Sequence, residues 1–248
     1  MNRAGFGGSL QRAFARCLLC HGGDPLPAGI CAPCAAELPD LDAACQRCAL
    51  PLANSGDSHC ARCQSRPPPV TATHACWFYA YPVAQLIQRF KYQRDLAAGR
   101  TLAELAAARL NPESLRPTLH HNQHHNQHPN QHPDLLIPVP MHWRKQLFER
   151  GYNQAQLIAD ILARQWQIPV DNRALRKITR TGSQQELKRA QRLKNLVESF
   201  SAHPRVRGLH IGLVDDVITT GATAEAAAGS LRAAGATSVT VYALARVP

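Results

Sequence analysis

No segment of the 248-residue chain approaches the ~20 uninterrupted apolar residues that a membrane-spanning helix needs. Its opening, MNRAGFGGSLQRAFAR, lacks the apolar h-region of a secretory signal, so a cytoplasmic location is the expectation. No G-K-[ST] follows a glycine-rich turn and G-x-G-x-x-G is absent, which sets aside a Walker A loop and a dinucleotide fingerprint. Aromatic residues make up only 6% of the chain. Few of them interleave with the basic residues of 144–207, which weakens a base-stacking platform for single-stranded nucleic acid. Acidic residues are also scarce, 17 against 28 Lys and Arg, which leaves a formal charge of +11.

That charge is unevenly placed. Residues 1–70 carry six basic and five acidic side chains, whereas residues 144–207 carry 14 and five. A concentrated basic field suits a polyanion, either a nucleic acid or a phosphorylated small molecule. The run HHNQHHNQHPNQHP at 120–133, within an insert spanning 112–133, has no apolar content to bury. It reads as a disordered surface expansion, with metal scavenging by its histidines the weaker alternative.

Around the insert the pattern is globular. Ala72–Tyr81 reads as a strand. Val83, Leu86, Ile87 and Phe90 recur at helical spacing, as do Leu102, Leu105, Ala106 and Leu110. Beyond Asp134, strands are expected at Leu135–Val139, Leu209–Val214 and Ser238–Ala245. Helices are expected at Gln154–Trp166 and Thr223–Ala234, the latter ended by Gly235. Alternating strands and helices predict an α/β fold with a parallel sheet, whose ligands sit at the carboxyl ends of the strands. Gln64–Pro69 reads as a stiff linker between residues 15–66 and an α/β unit spanning 70–248.

Eight of the nine cysteines form C-x-x-C pairs: Cys17 with Cys20, Cys31 with Cys34, Cys45 with Cys48, and Cys60 with Cys63. Each pair aims two sulfurs at one point, half of a tetrahedral zinc site, so four pairs predict two structural Zn2+ sites of four cysteines each. Sequential pairing is the simplest and a cross-braced one stays open. Disulfides fit a cytoplasmic chain poorly, and thioredoxin-like chemistry needs one such pair beside a βαβ unit. Cys76, on an apolar strand, reads as buried core. Eight thiolates and two Zn2+ would bring the charge of the first 70 residues from +1 to about −3. A strong DNA-backbone role for this module is therefore unexpected, although Arg12, Arg16, Arg47, Arg62 and Arg66 are available to touch one.

The sharpest signal is Gly212-Leu213-Val214-Asp215-Asp216-Val217-Ile218-Thr219-Thr220-Gly221-Ala222-Thr223. A buried strand runs into two carboxylates, then a Thr/Gly loop, then a helix start. The helix N-terminus offers N–H groups and partial positive charge to a phosphate, Gly221 lets the backbone approach, and Thr219, Thr220 and Thr223 add hydroxyls. Two carboxylates beside a phosphate make sense when a sugar diol or a metal ion lies between.

Residues 211–223 resemble the phosphoribosyl pyrophosphate (PRPP) signature of type I phosphoribosyltransferases. With the paired cysteines, the chain apart from its extreme N-terminus and its insert resembles the ComF/GntX family. Further matches are Lys91-Tyr92, Ile137-Pro138-Val139-Pro140, Glu149-Arg150-Gly151-Tyr152-Asn153-Gln154, and Arg180-Thr181 with Gln185, Leu187, Arg192, Asn195 and Phe200. The resemblance implies a type I phosphoribosyltransferase-like sheet with helices on both faces, preceded by a double zinc ribbon. It implies that Asp215 and Asp216 hold the ribose 2′- and 3′-hydroxyls while Val214 and Thr219, Thr220, Gly221, Ala222 and Thr223 complete the PRPP site with Mg2+. It assigns the loop 140–151, with Arg144, Lys145 and Arg150, to pyrophosphate. A mobile hood at 179–192 would carry Arg180, Lys188, Arg189 and Arg192.

The family is linked to DNA uptake in competence or to DNA as a nutrient, which makes DNA-processing proteins the expected partners. Displacement of pyrophosphate from C1′ of PRPP is the enzymatic expectation, with the acceptor unassigned. A non-catalytic PRPP or nucleotide sensor and a single-stranded-DNA-handling adaptor stand as alternatives.

Overall fold

The apolar runs flanking the insert assemble into one parallel sheet in the computed structural model, which describes residues 16–23, 25, 27–53, 56–112, 132–141, 151–178 and 199–248. Its strands are β1 (Ala72–Phe78), β2 (Leu135–Pro138), β5 (His210–Ile218) and β6 (Ser238–Arg246), in the order β1-β6-β5-β2. Every neighbouring pair is parallel. β6 lies inside the sheet and is buried without a break from Val241 to Arg246, as expected where helices cover both faces.

Helices α3 (Val83–Tyr92), α4 (Leu96–Arg109) and α5 (Gln154–Trp166) cover one face. Their Leu86, Phe90, Leu102, Ile158 and Leu162 pack with Val214, Tyr242 and Leu244 of the sheet. Helix α6 (Ala222–Ala233) covers the other, where Ala227, Ala228 and Leu231 meet Ile211, Leu213 and Val241. Asp95 caps α4 by accepting from the Ala98 N–H at 3.0 Å, and Asn153 caps α5 by accepting from Ala155 at 3.1 Å. Gly212 is required by the sheet, since a Cβ there would sit 2.5 Å from Leu136 Cδ2.

Several boundaries differ from the sequence pattern, most by a single residue. β1 stops at Phe78 rather than Tyr81. β5 does not end at Val214: its pairing with β2 closes there, but its ladder with β6 continues to Ile218, and Asp215 and Asp216 are strand residues. Helix α6 starts at Ala222 behind Gly221, whose φ of 79° suits glycine. A small antiparallel pair, β3 (Leu175–Lys177) with β4 (Phe200–Ala202), has no counterpart in the sequence pattern and seats Leu175 and Phe200 under α6. The expected hood lies in 179–198, outside the described residues, as do 113–131 of the insert and 142–150.

The cysteine-rich stretch, with short helices α1 (Ala32–Ala36) and α2 (Ala61–Ser65), lies against the open edge of β1. Leu41 N–H donates to Cys76 O at 3.1 Å and Phe78 N–H to Pro39 O at 2.8 Å. Thr73 N–H donates to Gln46 O at 2.8 Å. An edge strand exposes unpaired backbone groups, and these contacts cover it. Arg109 of α4 adds an ion pair to Asp40 at 2.6 Å. The described residues contain no helix long and apolar enough to cross a membrane.

Candidate functional site

The cysteines gather in chain order. The sulfurs of Cys17, Cys20, Cys31 and Cys34 lie within 4.8 Å of one another, and so do those of Cys45, Cys48, Cys60 and Cys63. The sequential pairing therefore holds. Cys20 and Cys31 are 3.7 Å apart at sulfur, as are Cys48 and Cys60. A tetrahedron of sulfurs at ~2.3 Å from a zinc ion has edges of about 3.8 Å, whereas a disulfide needs about 2.05 Å. All nine cysteines are free, and Cys76 is fully buried.

Thiol acidity follows the crowding. Burial raises Cys17, but N–H groups of Cys20, Cys31 and Leu19 outweigh it and bring it to about 6. Cys34 is pushed up to about 12, first by its contact with Cys31. Cys45 falls to about 7 through N–H groups of Cys60, Arg47 and Cys48, against a burial that raises it, while burial lifts Cys48 to about 11. Four thiolates cannot share one site unaided, and a divalent cation of tetrahedral sulfur preference resolves the conflict.

Asp215 and Asp216 stand on β5 just past the last residue paired with β2, so the sheet opens beside them. Successive strand residues face opposite sides. Asp216 meets Lys91 Nζ at 2.9 Å, a lysine near the C-terminal end of α3, and both side chains are largely buried. Asp215 accepts the Asp216 N–H at 2.8 Å. Burial, and then the neighbouring Asp216 charge, push its carboxyl up to about 7, against the pull of that N–H and of Lys91 and Lys177. The site thus holds a carboxyl poised near neutrality beside one already neutralised by a cation.

The next residues form the loop into α6. Thr219, Thr220 and Thr223 are exposed. Thr220 Oγ1 accepts from the Ala222 N–H at 3.3 Å. The Glu225 N–H to Gly221 O bond, 2.9 Å, is the first i→i−4 bond of α6, so the N–H groups of Thr223 and Ala224 precede the helical ladder.

No family model matches the chain. It is 32% identical over 218 residues to DNA utilization protein YhgH of Escherichia coli (strain K12), covering 88% of this chain and 90% of that protein. It is 31% identical over 235 residues to competence protein F of Haemophilus influenzae, covering 93% and 96%. The chain belongs to the ComF/YhgH family. Similar solved structures include a glutamine PRPP amidotransferase from B. subtilis complexed with ADP and GMP. That match is 23% identical over 57% of this chain, with a TM-score of 0.36, and spans only 25% of the amidotransferase. Another is a purine phosphoribosyltransferase from Pyrococcus horikoshii, 18% identical, covering 58% and 82%, at a TM-score of 0.35.

In this ComF/YhgH family member, Asp215 and Asp216 stand on β5, and 219–223 lead from its end into α6. Arg144, Lys145 and Arg150, and Arg180, Lys188, Arg189 and Arg192, fall outside the described residues. Lys91 carries a sequence match but no role there, and its pairing with Asp216 spans too many residues for spacing to reveal. Lys177 escapes a sequence reading because a three-residue strand has no periodicity. A cavity of about 820 Å³ borders Arg100, Pro140, Gly151, Asp160 and Arg164, and does not include the acidic pair.

Proposed function

We propose that this protein binds PRPP at the carboxyl end of β5, within a role in DNA uptake or utilisation like that named for its relatives. What supports the reading is one juxtaposition: two strand-end carboxylates followed within three residues by a Thr/Gly loop that opens a helix. Asp215 and Asp216 would orient the ribose diol, and the loop with the α6 start would take the 5′-phosphate. Lys91 would hold Asp216 in place through their ion pair. Residues 15–66 act as a double zinc ribbon with two structural Zn2+ sites, and 70–248 as the phosphoribosyltransferase-like unit.

Asp215 has the oxygen chemistry to join a Mg2+ carried by the diphosphate, since such ions bind through one or two carboxylates plus substrate phosphates. The ion would neutralise charge developing on the leaving pyrophosphate. The chain's own contribution is orientation and electrostatics, with neither carboxylate acting as a nucleophile. Arg144, Lys145 and Arg150 would hold the diphosphate, and Arg180, Lys188, Arg189 and Arg192 would close over it.

Calorimetric titration of PRPP with Mg2+ into zinc-loaded protein tests binding. One saturable site is expected, and Asp215→Asn with Asp216→Asn should weaken it more than ~100-fold, the loss of two charge-assisted contacts. No heat and no thermal shift would remove the reading. Pyrophosphate release in the presence of bases or amines decides between a transferase and a sensor that binds without turnover.

A further inference from the structure

Two arginines stand behind the proposed phosphate loop, one from within the second cysteine cluster and one from β6 that touches it. Arg62 lies in α2 between Cys60 and Cys63. It donates to Thr220 O at 3.1 Å and pairs with Glu225 in the first turn of α6. Arg246 ends β6 and is 4% exposed. Its guanidinium donates to Cys48 O at 3.1 Å, to Ile218 O at 3.3 Å, and to the carbonyls of Thr219 and Val247. The carbonyls of three successive residues, Ile218 at the end of β5 and Thr219 and Thr220 of the loop, are therefore held by these two arginines.

That grip has a geometric consequence. In a trans peptide the C=O of one residue and the N–H of the next point to opposite sides. Anchoring the carbonyls of Thr219 and Thr220 turns the N–H groups of Thr220 and Gly221 away from the arginines, toward the face where an anion would sit. Two guanidinium charges behind the loop also repel each other, and an anion in front relieves that repulsion. Glu225, which would oppose a phosphate at the helix start, is neutralised by Arg62. The hollow between module and loop is only about 10 Å³, bordered by Arg47, Cys48, Gly221 and Glu225, so no solvent layer separates them.

We infer that Arg62 and Arg246 are positioning residues for the 5′-phosphate loop, and that the cluster of Cys45, Cys48, Cys60 and Cys63 sets phosphate affinity through them. This rests on the site reading above and adds to it a role for the cysteine module inside the binding site. An arginine fork suits 246, because Nε reaches the Cys48 carbonyl while Nη1, fixed beside it in the same plane, reaches the carbonyls of Ile218, Thr219 and Val247.

The test uses two probes on the zinc-loaded full chain: ribose 5-phosphate, which needs the loop, and Mg2+-pyrophosphate, which does not. Arg62 is the tractable position, its side chain being 54% exposed. Arg62→Ala is expected to weaken ribose 5-phosphate about 10-fold, the loss of one charged hydrogen bond, and to change pyrophosphate less than ~2-fold. Arg62→Lys should recover part of the loss. Amide exchange at 219–221 should quicken in unliganded Arg62→Ala, a readout independent of any ligand, while zinc content stays unchanged. Wild-type binding of ribose 5-phosphate with Arg62→Ala equal to it, or equal losses for both probes, would overturn this inference alone. Absence of wild-type binding to both probes would overturn the site reading, and this inference with it.

Discussion

The two cysteine clusters have the same ligands at almost the same spacing, yet they join different parts of the molecule. The first is part of the main core: Cys17 is buried with Ile30 and Leu38 beside α3 and α4, while Cys20 is exposed. The second builds a small core of its own from Cys45, Cys60 and Cys63 with Leu50 and Leu52. Its outward contacts run to the edge of β1, where Thr73 donates to the carbonyls of Gln46 and Arg47, and through Arg62 and the Cys48 carbonyl to the loop that opens α6. Ligand chemistry alone therefore does not set what a metal module does. The first cluster's contacts fit it to stabilise the body and the second's fit it to shape the loop.

Losing one metal from each cluster should break the symmetry most. Structural metal binding is folding free energy. Cys17→Ser is expected to lower Tm by about 10 °C or more, because it opens the main core. Cys60→Ser should lower Tm less but weaken ribose 5-phosphate about 10-fold or more, through the loss of the Arg62 and Arg246 anchors. Zinc analysis with melting and calorimetry checks both. Equal effects of the two variants on both readouts would erase the distinction.

A sharper form uses pH. Asp215 titrates near 7 in the folded chain, and a diol or cation favours its ionised form. Ribose 5-phosphate affinity should rise about 10-fold between pH 6 and 8, and this rise should flatten in Asp215→Asn. Cys60→Ser should lower the whole profile without moving its midpoint, since the second cluster acts on the phosphate and not on the carboxyl.

A smaller effect follows on stability. The Asp215 carboxyl is raised above its unfolded value, so the folded chain holds a proton that the unfolded chain has lost. Stability from this group is fully present below the unfolded pKa of ~4 and is lost as pH rises toward 7. Asp215→Asn should therefore raise the Tm of the unliganded protein by about 3 °C at pH 8 and hardly at all at pH 4. The smallest effect is expected on α4, where Arg100→Ala removes an exposed pair with Glu104 at 2.6 Å. It should change Tm by less than ~2 °C and leave both clusters' readouts untouched.

Much of this architecture is visible in the chain because it is local. Helical spacing marks Val83–Phe90, and four C-x-x-C pairs mark two clusters. Asp215 and Asp216 stand out beside the Thr/Gly loop. What escapes is non-local. The continuation of β5 through two aspartates depends on β6, whose ladder with it persists to Arg246. Arg246 itself falls one residue past the strand expected at Ser238–Ala245, and nothing near it in sequence marks its contact with Cys48 or Thr219. Arg62 reads as one more surface charge among cysteines. The Lys91–Asp216 pair joins elements separated by the insert and three further strands.

The most direct measurement is a crystal structure of the zinc-loaded chain with PRPP and Mg2+. The expected density has zinc in both cysteine clusters, the ribose diol on Asp215 and Asp216, and the 5′-phosphate against 219–223, with Arg62 and Arg246 gripping the loop from behind. Ligand density confined to the cavity beside Arg100 and Arg164, with the loop bare, would contradict the assignment.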